Sequence, residues 1–390
     1  MFRGHSLSAL LALAALALAG CATPPAPQAQ PFAQAIDSAA DALVREAQGP
    51  AFLAQLSTRT VVLDPSLDAA TGQQTAATQQ LDRAISERVG RPDSKITVLP
   101  FQSASLSKAQ SLLVGTLARA PEGWKIDLAM VDLKDGKVLG QASALSTSAG
   151  VDMTPLPYYR DSPVMVMDKV TAGYVQSART PRGQPADPAY LERIASATVI
   201  NEATALYDSA RYREAMGQYR SALAMPQGEQ IRALTGVYLS AVRLGQTAEA
   251  EQAFARLVAF GMASGNLGMK FLFSPGSTDF WPDPKISGAY GMWLRQLARQ
   301  SSGAKVCMDI VGHTSRTGTE VANDALSLKR ALYIRQRLGS EAPELMRRTQ
   351  AQGMGARQNI VGSGTDDVVD APDRRVEFSI VDCATLKAGS

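Results

Sequence analysis

The hydrophobic pattern of this 390-residue chain changes its period twice, and each change marks a different kind of folded segment. Residues 32–150 contain short runs in which apolar and polar positions alternate, a pattern typical of strands. Residues 187–266 repeat their apolar positions every three to four residues, which is typical of helices. Residues 267–390 mix both patterns. We therefore predict an α+β multidomain protein, with an N-terminal α/β sandwich, a central helical segment and a C-terminal α/β sandwich.

The N-terminal region, residues 32–150, shows the order β-α-β-β-β-β with an added helix at its start. The run 124–131 alternates strictly, and Asp135-Gly136 is a hairpin signal before its partner strand. This order predicts a small α/β domain. Polar residues follow its first strand, and they form either a solvated turn or a ligand-binding loop: Asp64, Asp68 and Gly72.

Residues 151–186 lack a clear apolar period, and the stretch 148–188 contains six prolines. Proline interrupts both helices and central strands. We predict that residues 151–186 form a linker or a wrapping segment.

The central helices, residues 187–266, show an internal repeat. Glu214, Ala215, Tyr219 and Ala222 recur 35 residues later as Glu249, Ala250, Phe254 and Leu257. This offset is close to the 34-residue tetratricopeptide (TPR) period. The pattern covers about two repeats and departs from the family at Tyr238, where a small residue is usual. The segment is either a TPR-like peptide-binding groove or a helical spacer that packs on its neighbours.

The first 20 residues have the pattern of a lipoprotein signal peptide. Arg3 supplies a positive charge, and residues 9–19 are an unbroken run of Ala and Leu. That run is too short to span a bilayer, which takes about 20 residues, but it suits a secretory signal. It ends in Leu18-Ala19-Gly20-Cys21, which resembles the lipobox in which the chain is cut before a cysteine that receives lipid (palmitate). An ordinary signal peptide with a chance cysteine is the alternative.

Acylation of Cys21 would anchor the mature chain to the inner leaflet of the outer membrane, facing the periplasm. Ala22 follows the cysteine, and in lipoprotein sorting this favours the outer over the inner membrane. Residues 21–31, rich in Pro, Ala and Gln, are expected to form an extended tether.

The composition excludes several common kinds of catalytic site. Without the signal peptide one histidine remains, His313, so a zinc site with several histidines is excluded. No CxxC, Walker A or GxSxG motif is present. The net charge of +3 gives no field for binding nucleic acid. We therefore predict no enzyme, no cofactor, no metal and no nucleic-acid partner, although a carboxylate-pair hydrolase stays open.

The carboxyl-terminal third carries the strongest signal. Its strand and helix runs follow the order β-α-β-α-β-β, with a first strand expected at residues 269–273. Four motifs occur in order: Gly312-His313-Thr314, then Asn323-x-x-Leu326-Ser327-x-x-Arg330-Ala331, then Gly353-x-Gly355, then Asp373-Arg374-Arg375-Val376-Glu377. Residues 268–383 thereby resemble the OmpA-like (OmpA/MotB carboxyl-terminal) peptidoglycan-binding domain.

The resemblance implies a site that holds the diaminopimelate of the peptidoglycan stem peptide. Arg330 would pair with a carboxylate through its planar fork, and Arg374 would lie nearby. The other site residues that the motifs carry over are Thr314, Ser315, Asn323 and Leu326. The family usually has Asp at position 315, so Ser315 lacks the charge that would face the ligand ammonium, and Ser315→Asp is expected to tighten binding. Arg330 is expected at the helix surface, where truncation would not unfold the domain.

Three residues of this region carry further expectations. His313 is either a structural residue at a strand end or a base. Cys307 and Cys383 would be the remaining cysteine pair in an oxidising compartment, so a disulfide is possible if their strands are neighbours.

Two functions follow from these patterns. The first is an outer-membrane lipoprotein that binds peptidoglycan non-covalently and tethers the membrane to the cell wall. The second is an envelope scaffold that recruits a protein partner through its TPR-like and N-terminal parts. A third hypothesis is an enzyme that remodels the cell wall.

Overall fold

The computed structural model describes residues 28–48, 58–265, 267–360, 364, 366, 370 and 373–386. It is a mixed α/β structure with two sheets. The predicted signal peptide, Cys21 and most of the predicted tether lie outside the described residues. Within the described part of the chain, no helix is both long enough and apolar enough to cross a bilayer.

The first sheet has six strands. They are β1 (Arg59–Leu63), β2 (Leu67–Asp68), β3 (Ile96–Pro100), β4 (Ser111–Ala120), β5 (Gly123–Asp132) and β6 (Val138–Ser146). Their spatial order is β3-β1-β4-β5-β6, and β2 pairs with β4. β1 is parallel to β3 and to β4, whereas β4, β5 and β6 form an antiparallel meander.

Two helices cover one face of this sheet, α1 (Phe32–Gln48) and α2 (Ala76–Val89). α1 buries an apolar stripe that includes Ile36 and Leu43. α2 begins with a capping box, in which Thr75 Oγ1 accepts from Thr78 N and Thr78 Oγ1 accepts from Thr75 N. A short helix, α3 (Ser103–Leu106), connects β3 to β4.

The other face is covered by residues that we predicted to be a linker or a wrapping segment. Within this segment α5 (Lys169–Arg179) packs on the sheet and α6 (Pro188–Leu191) follows, whereas α4 (Pro157–Asp161) packs against the helices of residues 194–243. The Tyr174 hydroxyl in α5 accepts from Gly115 N in the sheet, 2.9 Å away. The linker alternative is therefore wrong, because apolar side chains from this segment complete the core on the second face of the sheet. Because prolines interrupt the regular spacing of apolar residues, the sequence pattern of this segment did not indicate that it packs on the sheet.

The central helices are α7 (Ile194–Asp208), α8 (Tyr212–Ala224), α9 (Ile231–Arg243) and α10 (Thr247–Ala263). Each packs against the next along the chain. Gly236 lies against the Tyr219 ring, and a Cβ there would come within 2.3 Å of it. Tyr238, which departs from the TPR pattern, is buried, and its hydroxyl accepts from Trp293 Nε1 at 2.7 Å. One continuous core therefore joins these helices to the carboxyl-terminal region, as the spacer alternative requires.

The second sheet has four strands, in the order β7-β10-β8-β9. They are β7 (Leu267–Met269), β8 (Cys307–Gly312), β9 (Thr349–Gly353) and β10 (Val376–Val381). β10 lies antiparallel to β7 and β8, and β8 lies parallel to β9. The main connecting helices are α12 (Tyr290–Ala304) and α13 (Glu320–Glu341), and two short ones are α11 (Pro284–Ser287) and α14 (Leu345–Arg348).

The order β-α-β-α-β-β predicted for this region is present, but the first strand was misplaced. We expected it at residues 269–273, whereas it ends at Met269. Beyond that point Lys270 N donates to Pro163 O, and Phe273 forms an isolated bridge with Phe280. Phe271 and Phe273 are buried side chains of a core loop, so their apolar pattern did not distinguish a loop from a strand.

Candidate functional site in the carboxyl-terminal region

Glycines allow helix α13 to lie directly on strands β8 and β9. A Cβ at Gly312, the last residue of β8, would come within 2.1 Å of Ser327 O, and one at Gly353 within 2.6 Å of Leu328 N. Both residues belong to the motifs that we singled out. Gly355 adopts φ +53°, and its N–H donates to Ser327 Oγ at 2.9 Å. These glycines therefore position the helix over the strand ends.

Thr314 and Ser315 follow β8 at this end of the sheet. Thr314 N donates to Gly355 O at 2.9 Å, and Asn359 Nδ2 donates to Thr314 O at 2.9 Å. The Thr314 side chain is buried, and its Oγ1 has no hydrogen-bond partner among the described residues. A buried hydroxyl in that state is unusual for a purely structural residue.

Helix α13 begins at this site. Its N-cap, Thr319, accepts at Oγ1 from Ala322 N, 3.3 Å away. Asn323 is buried beneath the preceding turn, close to Gly318, and Leu326 is half-buried.

Arg330 lies one helical turn beyond Leu326 in α13, and it is buried, with only 1% of its surface exposed. Its Nε donates to Ser277 O at 3.1 Å, and its Nη2 donates to Ser274 O at 3.2 Å. Its Cζ atom lies 4.9 Å from the centroid of the Phe273 ring. The expectation of an exposed helix residue is therefore wrong: the 274–277 turn and Phe273 cover the guanidinium.

The environment of Arg330 is unfavourable for its charge. Burial lowers the pKa of its guanidinium to about 10, and the positive charge of Arg374 acts in the same direction. Among the residues that the structure describes, no carboxylate oxygen lies within 4.0 Å of the guanidinium. Asp366 opposes the shift only at longer range. A buried guanidinium that faces two carbonyls and a ring is stabilised less than one that faces a carboxylate.

Asp366, which belongs to none of the four sequence motifs, forms a hydrogen bond with Ser315. Ser315 Oγ donates to Asp366 Oδ1, and Arg374 Nη1 donates to the same oxygen at 3.1 Å. Burial raises the pKa of Asp366, but hydrogen bonds from Ser315 and Thr317 and the charge of Arg374 outweigh it, so the pKa falls below its usual value. Ser315, three residues after the end of β8, gave no sequence signal that a distant acidic residue would contact it.

Arg374 and Arg375 are both buried just before the start of β10. Arg375 Nε donates to Glu377 Oε1 at 2.6 Å, and His313 Nε2 lies 3.5 Å from Glu377 Oε2. Burial raises the pKa of Glu377, but His313 and Arg375 outweigh it and bring the pKa to about 2. His313 is 1% exposed. Its two ring nitrogens are buried and make no hydrogen bond within the described residues, so the structural role of His313 stays a prediction.

Cys307 and Cys383 are joined by a disulfide, with Cα atoms 5.2 Å apart. The strand register explains the pairing, since Cys307 faces Val381 at the end of β10. The bond lies at the end of the sheet opposite the site. Within the described residues, no group of three or more His, Cys, Asp or Glu side chains is arranged to hold a metal ion.

No protein-family model matches the chain, and no curated protein matches it in sequence. Solved structures do match, over 28–30% of this chain. The peptidoglycan-associated lipoprotein from Burkholderia pseudomallei is 24% identical, with a TM-score of 0.23 and 86% of its own chain covered. The cell wall anchor of the T6SS from Pseudomonas aeruginosa is 20% identical, with a TM-score of 0.24 and 78% covered. The periplasmic domain of Helicobacter pylori MotB is 18% identical, with a TM-score of 0.24 and 74% covered.

Proposed function

We propose that residues 267–390 form an OmpA-like domain that binds the peptidoglycan stem peptide non-covalently. The observation that carries this proposal is the Arg330 guanidinium, which is buried without a carboxylate among the described residues. Its planar fork matches a carboxylate in two parallel hydrogen bonds. A ligand carboxylate that reached this guanidinium would supply a counter-charge that the described residues do not provide within 4.0 Å.

The motif residues gather around the same point. Thr314 and Ser315 follow β8, Asn323 and Arg330 lie on α13, which packs on β8, and Arg374 donates to Asp366, which also accepts from Ser315. Leu326 adds a half-buried apolar side chain. Stem peptides carry free carboxylates and ammonium groups, so a site with both charges suits them. The His313 imidazole is buried and lies 3.5 Å from Glu377 Oε2, so this residue is not an exposed base, which supports a site that binds without reacting.

The test of this proposal compares two arginines of one helix. Arg330→Lys keeps the charge but loses the fork, and it should weaken binding to isolated sacculi by roughly ten- to a hundredfold, the equivalent of about 1.5–3 kcal/mol. Arg337→Lys is the matched control, because Arg337 also lies over an aromatic ring, that of Tyr333, at 5.8 Å. Melting temperatures show whether each variant is folded. Equal sacculus affinities for folded Arg330→Lys and the control would refute the proposal.

At the level of the whole chain, the proposal is an outer-membrane lipoprotein that tethers the membrane to the wall from the periplasmic side. Lipid on Cys21 would hold one end, residues 21–31 would span outward, and the OmpA-like domain would hold the wall. Cys21→Ala should release the protein from the membrane fraction to the soluble periplasm. A variant that stays in the membrane fraction would show that the anchor lies elsewhere.

A further inference from the structure

A cleft opens at the carboxyl ends of the adjacent parallel strands β1 and β3. The chain leaves these strands towards opposite faces of the sheet. After β1 it enters α2, whose Leu81 and Ile85 lie in the core on one face, and after β3 it enters α3, whose Leu106 packs against the core on the other. In open α/β sheets, ligands bind where neighbouring connections diverge in this way. The cleft has a volume of about 380 Å³, within the range of small-molecule sites.

The wall of the cleft is mostly apolar. Residues 98–101 and the end of β1 supply its apolar side chains, and the polar ones are Asp82, Ser86 and Asn201. Asp82 and Ser86 lie one turn apart on α2, and Asn201 belongs to α7. Among the described residues, no lysine, arginine or histidine lines the cleft. The charge that its lining can carry is therefore negative.

The three polar side chains offer acceptors to a ligand. Ser66 N donates to both oxygens of Asp82, at 2.9 Å and 3.2 Å, which leaves further lone pairs on the carboxylate. Asn201 Nδ2 donates to Phe101 O at 3.2 Å, so its Oδ1 is the end of the amide that can accept. The Ser86 hydroxyl can also accept.

Asp82 has no close positive charge to balance its own. No lysine, arginine or histidine nitrogen of the described residues lies within 4.0 Å of its carboxylate. Burial raises its pKa to about 7, and the charge of Asp64 acts in the same direction, against a smaller opposing effect of Arg83. A cation bound in the cleft would stabilise the ionised carboxylate.

We propose that this cleft binds a primary ammonium group on an aliphatic stem, with the ammonium at Asp82 and the stem against the apolar wall. An ammonium has three donors and no acceptor, which suits a group of acceptors that carries a negative charge. A free aliphatic amine and a lysine side chain of a partner protein share this chemistry. The site lies in the N-terminal region, and the inference is independent of the function proposed for residues 267–390.

The experiment titrates the full chain carrying Cys21→Ala with pentylammonium and with pentanol, by isothermal calorimetry. Pentylammonium should bind in the millimolar range, the order expected for so small a ligand, and about tenfold more tightly than the alcohol. Asp82→Asn should remove this preference, because asparagine keeps the shape of the side chain but not its charge. Glu87→Gln is the matched control, since Glu87 is an exposed carboxylate of the same helix that does not line the cleft. Melting temperatures show whether each variant is folded.

Equal affinities of the wild-type chain for the two ligands, or no binding of pentylammonium, would overturn the proposal without requiring any variant to fold. So would a preference for pentylammonium that persists in folded Asp82→Asn. A third ligand, the methylamide of acetylated lysine with a free side-chain amine, separates the two sources. Binding as tight as that of pentylammonium supports a lysine side chain, and binding about tenfold weaker supports a free amine. Sacculus binding by Arg330→Lys is unaffected by any of these results.

Discussion

At the scale of single residues, the N-terminal region contains two carboxyl groups, Asp64 and Asp82, whose hydrogen bonds offset only part of the cost of removing their charge from water. Asp64 follows β1 and is buried, and its Oδ2 accepts from the Tyr190 hydroxyl at 2.6 Å. Burial raises the pKa of Asp64 to about 7 and that of Asp82 to about 7. These groups therefore keep their protons in the folded state at pH values where the unfolded chain has lost them.

The sign of the resulting pH dependence follows. Because the folded state binds more protons at these two groups, their contribution to stability is greatest below about pH 4 and falls as the pH rises towards 7, by at most about 1.4 kcal/mol per pH unit for each group. Hydrogen exchange of the β4 and β5 amides, measured from pH 5 to 8 and corrected for the intrinsic rate, should report this loss. Asp64→Asn should reduce the slope of this profile, with the remaining slope due to Asp82. An unchanged slope in that variant would show that Asp64 is ionised when folded.

The site shows which residues a sequence can and cannot predict. Thr314, Asn323 and Arg330 were predicted as site residues because ordered motifs carry them; Thr314 follows β8 and the other two lie on α13, which packs on that strand, and their binding role stays a prediction. The burial of Arg330 was not predictable, since it depends on Phe273 and the 274–277 turn from a distant part of the chain. Asp366 was missed for the same reason, because its contact with Ser315 spans 51 residues.

At the scale of elements, the placement of α13 depends on glycine. A Cβ at Gly312 would overlap the carbonyl of Ser327, which is rigid helix backbone. Gly312→Ala should therefore lower the stability of the domain by roughly 2–4 kcal/mol, because the helix must move off the sheet. A urea titration measures the change.

Gly303→Ala is the matched control, since Gly303 lies in helix α12 and a Cβ there would have no neighbour within 4 Å. It should leave stability unchanged or raise it by about 0.5–1 kcal/mol. If Gly312→Ala were as stable as this control, the close approach of helix and strand would not be required.

The disulfide joins Cys307, the first residue of β8, to Cys383, which lies two residues beyond the end of β10. The two cysteines are 76 residues apart in the chain. In the chain-entropy model a loop of this size stabilises the folded state by about 4 kcal/mol. Replacing both cysteines by serine should lower the urea midpoint accordingly. Thiol titration of the unreduced, unfolded mature chain should find no free cysteine other than an unacylated Cys21, and two further free thiols would contradict the pairing.

At the scale of the whole molecule, element order was more predictable than the boundaries between folded parts. Alternation and 3.6-residue periodicity gave the order of the longer strands and helices in both regions, but they missed the short strand β2. They did not show that residues 151–186 complete the core of the first sheet, or that the central helices share a core with the second. These contacts join residues far apart in sequence, and periodicity reports only which face of an element is apolar.

Shared cores have a consequence for the proposed tether. Tyr238 and Trp293 connect the central helices to the carboxyl-terminal region through a buried hydrogen bond, and Phe254 stacks on Trp293 with ring centroids 5.6 Å apart. A load between the membrane and the wall would therefore pass through packed side chains at this junction.

The central claim is that this chain binds peptidoglycan through the stem peptide, and the most direct test is co-sedimentation with sacculi. The full chain carrying Cys21→Ala should sediment with intact sacculi and leave them undegraded. It should stay in the supernatant when the stem peptides have been removed by an amidase and only glycan strands remain. Equal binding to both preparations, or no binding to intact sacculi, would contradict the account.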